Sequence, residues 1–117
     1  MKDKKFYLET EKEKYLMVFN INVMEEIQDE YGSLDEWGKA SENKELGEPI
    51  VKHLKKGLMF MLNEGIDIEN EERDEKKPFL NSKQVGRIIG EVGLQEIFNK
   101  IHEVTISSTP EADGKNE

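Results

Sequence analysis

Ile50, Leu54, Leu58 and Met61, with Val51 and Leu62 beside them, recur at the 3.6-residue period of an α-helix and form the strongest apolar stripe in the chain. The spacing predicts a helix over about 49–63. Pro49 falls in its first turn, where a missing N–H costs nothing, and Asn63-Glu64-Gly65 reads as its stop. This is the candidate core helix. The 117 residues fit one domain around it.

The rest of the chain supplies short elements. Phe6-Tyr7-Leu8 and Tyr15-Leu16-Met17-Val18-Phe19 are aromatic and β-branched runs separated by the charged stretch Glu9 to Lys14, which reads as a β-hairpin over about 5–19. Asn20 or Asn22 can cap a helix over about 22–31 carrying Val23, Met24, Ile27 and Tyr31, with Gly32 as its stop. Ser33-Leu34-Asp35-Glu36 has capping-box form and opens a short helix bearing Leu34 and Trp37, limited by the polar run Ser41 to Glu48. Ile66 to Lys77 carries six close carboxylates, whose repulsion predicts a solvated, mobile loop. Asn81-Ser82 can cap a helix with Val85, Ile88, Ile89 and Val92, and Leu94, Ile97, Phe98, Ile101 and Val104 continue the period beyond a break at Gly90 to Gly93. The expected fold is therefore mainly α: four to five helices in a small bundle with a short N-terminal hairpin. That gives one domain over 1–106 and a disordered polar tail over 107–117.

Charge narrows the function classes. Seventeen Lys and Arg against 26 Asp and Glu leave a formal net charge of -9, opposite to what phosphate neutralisation or docking on anionic lipid requires. No apolar run approaches the roughly 20 residues of a membrane span. The absence of cysteine excludes a disulfide, a thiolate nucleophile and Cys-based metal sites. His53 and His102 are the only histidines, and the lysines around His53 oppose a cation. Asp67-x-Glu69-x-Glu71 begins like a calcium loop, but Glu72 and Pro78 stand where glycine and the bidentate glutamate belong. The serines lack a nucleophile elbow, and Gly86, Gly90 and Gly93 lack the Lys-Ser/Thr of a phosphate loop. The expectation is a protein that is not an enzyme and needs no cofactor.

One run resists a purely structural account. In Leu58-Met59-Phe60-Met61-Leu62 apolar residues cover all sides of the helix for more than a turn. A helix buried on every side would explain it. Alternatively, Met59 and Phe60 line an exposed groove, since flexible methionines suit a surface that accepts varied helical partners. Trp37 divides in the same way between burial and an interface anchor.

The order of segments resembles the tail assembly chaperones of long-tailed bacteriophages over about residues 5–105. The resemblance rests on the strand pair, on the run Asn22-Val23-Met24-Glu25-Glu26-Ile27-Gln28-Asp29-Glu30-Tyr31-Gly32-Ser33-Leu34-Asp35-Glu36-Trp37, on the amphipathic helix ending Gly57-Leu58-Met59, and on Leu80-x-x-x-x-Val85-Gly86-x-Ile88-Ile89. It implies a non-enzymatic role: binding the long, apolar, helical tape measure protein, keeping it soluble, and helping to recruit tail tube subunits. The family works in the cytoplasm of the bacterial host, is absent from the finished virion, and tends to multimerise along its client. It often exists in short and frameshifted long forms, and this chain looks like the short one. The family has no catalytic or ligand motif to carry over. From the residues, the expected partner-binding set is Met24, Trp37, Leu58, Met59, Phe60, Met61 and Phe98. The competing expectation is an acidic regulatory or inhibitory protein that binds a basic partner surface, as a nucleic-acid mimic or adaptor; it requires carboxylates arrayed on an ordered face.

Overall fold

The computed structural model describes residues 5–43, 45 and 48–108. Over that range the chain runs β1 (Phe6–Glu9), β2 (Lys14–Met17), α1 (Ile21–Tyr31), α2 (Leu34–Ser41), β3 (Glu42–Asn43), β4 (Glu48–Pro49), α3 (Val51–Asn70), α4 (Ser82–Val92) and α5 (Leu94–Ser108). The described residues are mainly helical, with the expected antiparallel hairpin at the start. In it Phe6 faces Met17 and Leu8 faces Tyr15. Thr10 closes the turn: its N–H donates to the Glu13 carbonyl (2.8 Å), and its hydroxyl accepts from the Glu13 N–H (3.1 Å).

Three helix starts follow from short polar side chains. The Asn20 side chain accepts from the Val23 N–H, Ser33 accepts from Glu36, and Asn81 with Gln84 forms a reciprocal capping box. Gly32 ends α1 at φ 97°, and Gly93 separates α4 from α5 at φ 109°, backbone conformations that cost residues with a Cβ far more. The break in the C-terminal apolar segment is therefore two helices meeting at Gly93. Helix α5 continues through Ser107 and Ser108, and the remainder of the expected polar tail lies outside the described residues.

Two expectations are corrected. Pro49 does not open α3: it pairs with Glu42 in a two-residue antiparallel bridge, and the Ile50 N–H donates to the Ser41 carbonyl, so the helix starts at Val51. Nor does Gly65 stop that helix, which continues to Asn70. A Cβ at Gly65 would lie 2.9 Å from the carbonyl carbon of Leu16 and closer still to its oxygen, so the glycine is where β2 crosses the helix. A second close approach occurs at Gly57, where a Cβ would lie 2.8 Å from Cε2 of Trp37. The indole lies against the helix there, and its N–H donates to the His53 carbonyl at 3.1 Å.

Helix α3 is the centre of the molecule. Leu54, Leu58, Met61 and Leu62 are almost wholly buried, covered by Phe6, Leu8, Met17 and Phe19 of the hairpin segment, Val23 and Ile27 of α1, Trp37 of α2, and the apolar faces of α4 and α5. No helix among the described residues is long and apolar enough to cross a membrane.

Candidate functional site

The seven expected partner-binding residues do not form one surface. Leu58 and Met61 are 0% exposed, and Trp37 is buried against Gly57, so these three belong to the core. Leu58 and Met61 drop out because they sit on the inward side of α3, and Trp37 shows only an edge between α2 and α5. Met24 and Phe98 are half-buried against the core on different helices. Phe98 and the edge of Trp37 line a cleft of about 200 Å³ between α2 and α5, together with Leu34, Ile101 and, from α3, Leu54. Met59 and Phe60 share a second, separate groove.

That groove, about 430 Å³, is lined by Glu26, Met59, Phe60, Asn63, Glu64, Asp67 and Phe79. Five of the seven come from α3 at positions 59, 60, 63, 64 and 67, the spacing of a single helix face. Glu26 of α1 forms one wall. Phe79, 57% exposed, forms the other from the segment that follows α3.

Local hydrogen bonds place these walls. The Asn20 amide works twice: its oxygen caps α1, and its nitrogen donates to Glu64 Oε2 at 2.8 Å, joined there by the Asn22 side chain at 3.0 Å. Glu64 thereby ties α1 to α3. On the other side, Asn63 accepts from the Leu80 N–H (2.8 Å) and donates to the Leu80 carbonyl (3.0 Å), which brings the neighbouring Phe79 to the groove. The acidic segment expected to be mobile is tied further. Asn70 holds Lys77 by its N–H and carbonyl, Arg73 pairs with Glu69, and Lys77 pairs with Glu13 in the hairpin turn. Seven helical residues beyond the expected end of α3, together with asparagines spaced to bind backbone, turn the stretch into an attached strap. Its carboxylates remain largely solvated, as their repulsion requires.

Asn63→Ala removes both bonds to Leu80. We expect a loss of about 1–2 kcal/mol in denaturant unfolding, together with faster proteolysis within 71–81. Unchanged cleavage there would show that Asn63 does not hold the strap.

The electrostatics are one-sided. Glu26, Glu64 and Asp67 line the groove, and among the described residues no cation lines it. Partial burial, then Glu64, then Glu25, hold the Glu26 carboxyl above its ordinary value of 4.5. Because the folded chain binds that proton more tightly than the unfolded chain, stability falls as pH rises from 4.5 through the raised value. Glu26→Gln should therefore be slightly more stable than the parent at neutral pH, with the difference vanishing on acidification below the ordinary value. The effect is small because Glu26 stays open to solvent. Urea midpoints of both proteins across this range check the sign, and a variant less stable at neutral pH would contradict it.

Among the described residues the lining holds no hydroxyl, imidazole or thiol, so they offer apolar contact and acceptor charge. Among the described residues no group of three or more His, Asp or Glu is placed to hold a metal ion. His53 is engaged elsewhere: its Nδ1 and the Tyr31 hydroxyl are hydrogen-bonded at 2.8 Å, with the two rings edge to face. Burial, then Glu30, hold the Tyr31 hydroxyl above its usual value.

Sequence reasoning finds Met59 and Phe60 from the all-round apolar run but misses Phe79, Glu26, Glu64 and Asp67. Their helical spacing with Met59 and Phe60 could have flagged Glu64 and Asp67; nothing local flags Phe79. Comparison with protein-family models, with curated proteins and with solved structures gives no match to this chain.

Proposed function

We propose that this protein is a non-enzymatic chaperone of bacteriophage tail assembly, which holds apolar helical segments of the tape measure protein in solution and helps recruit tail tube subunits. On this reading it acts in the cytoplasm of the host bacterium and leaves before the virion is complete. The segment order supports the family, and one observation carries the mechanism: Met59, Phe60 and Phe79 line an open groove whose other side chains are polar or acidic. An adaptable apolar floor accepts varied helical surfaces. The surrounding charge, part of a net -9, keeps the complex from associating through the client's remaining apolar surface.

Co-expression with a tape measure fragment tests this. Parent protein should keep the fragment in the soluble fraction, and Met59→Asp and Phe60→Asp should lose that ability while retaining their own cooperative melting. Folded variants that solubilise the fragment as well as the parent would sink the proposed surface.

A further inference from the structure

The groove carries more information than its apolar floor. Its three carboxylates come from two ordered helices, Glu26 on α1 and Glu64 and Asp67 on α3, and among the described residues no lysine or arginine lines it. The nearest ion pair joining those helices, Lys56 with Glu30, involves residues outside the lining. Glu64 is held in place by two asparagine amides, neutral donors that fix its position without cancelling its charge. A ligand with apolar residues alone would leave this acidic rim facing nothing, while an acidic ligand would be repelled by it.

We propose that the occupant of this groove is a short amphipathic helix of a partner protein with Lys or Arg flanking its apolar face. Its apolar residues pack on Met59, Phe60 and Phe79, and its basic residues meet Glu26, Glu64 and Asp67. The face from Met59 to Asp67 extends about 12 Å along α3, which matches roughly two turns of a bound helix with anchors at i, i+3 or i+4, and i+7. A second copy of this chain is a poor occupant, because it would bring another net charge of -9 against the same rim. The inference rests on the binding reading above for the location of the groove, and it adds the partner's charge.

The test uses two fluorescently labelled helical peptides with identical leucine positions, one flanked by lysines and the other by glutamates, titrated with the full chain. The lysine peptide should bind about tenfold more tightly at low salt, the sum of a few solvent-exposed charge pairs, and high salt should narrow the gap. The double variant Glu26→Gln, Asp67→Asn relieves the repulsion of Glu26 by Glu64 and otherwise changes only exposed side chains, so it should fold at least as well as the parent, yet bind the lysine peptide several-fold more weakly. Phe79→Ala should weaken both peptides alike. Equal affinity for the two peptides, no binding of either, or an unchanged double variant would overturn the inference. A lysine peptide that binds as described, beside a tape measure fragment that is not solubilised, would support the inference and remove the tail assembly reading. Solubilised fragment with no preference for lysine would do the reverse.

Discussion

Gly65→Ala is expected to lower the melting temperature by on the order of 10 °C. In a free helix the same change would stabilise, because alanine outranks glycine by about 1 kcal/mol in helix interiors. Position 65 reverses the sign. The added Cβ would press on the Leu16 carbonyl, which is backbone and has no side-chain rotation by which to yield. Relief requires β2 to lift from α3, and with it Leu16 and Met17, both buried. Overpacking of this kind costs about 3 kcal/mol, leaving a net loss of about 2 kcal/mol after the propensity gain. A melting curve followed by circular dichroism reads the result, and an unchanged or raised midpoint would mean that the hairpin is not seated on the helix at this point.

The second large effect separates two neighbours in one apolar run. Leu58→Ala should cost about 3–4 kcal/mol, a large share of the 5–15 kcal/mol that typically holds a domain folded, because a fully buried leucine leaves a cavity that close packing cannot fill. Phe60→Ala removes a larger side chain but should cost no more than about 1.5 kcal/mol, since part of the ring already faces the groove. Urea unfolding followed through Trp37, the single tryptophan and itself buried, reads both variants against the parent. Equal losses would place Phe60 in the core and leave the groove without its floor.

These two variants also mark how far the sequence could be read. Helix starts were legible because Asn20, Ser33 and Asn81 act on backbone only a few residues away. The core phase of α3 was equally legible, since Leu54, Leu58, Met61 and Leu62 fall on one stripe. Asn63-Glu64-Gly65 misled because a glycine that ends a helix and a glycine that admits a crossing strand look alike in sequence. The difference is made by Leu16, forty-nine positions earlier. The site was half legible for a related reason. Met59 and Phe60 stand out as apolar residues beyond what one buried face needs, whereas Phe79 joins them only through the bonds of Asn63 to Leu80, seventeen positions apart. Carboxylates were too numerous to single out; only the folded arrangement distinguishes Glu26, Glu64 and Asp67 from the other acidic residues.

Helix α3 meets Trp37 of α2 at Gly57 and Leu16 of β2 at Gly65, two places where a side chain would not fit. Together they act as a pair of notches that fix both the height and the rotation of the central helix relative to the elements lying across it. A fold set in this way leaves a trace that does not depend on overall similarity. Distant relatives should keep glycine at both notches, eight positions apart, with a large aromatic residue twenty positions before the first, even after the apolar residues between them have been exchanged. A spacing rule of that kind is a sharper query for finding them than the chain's amino-acid identity.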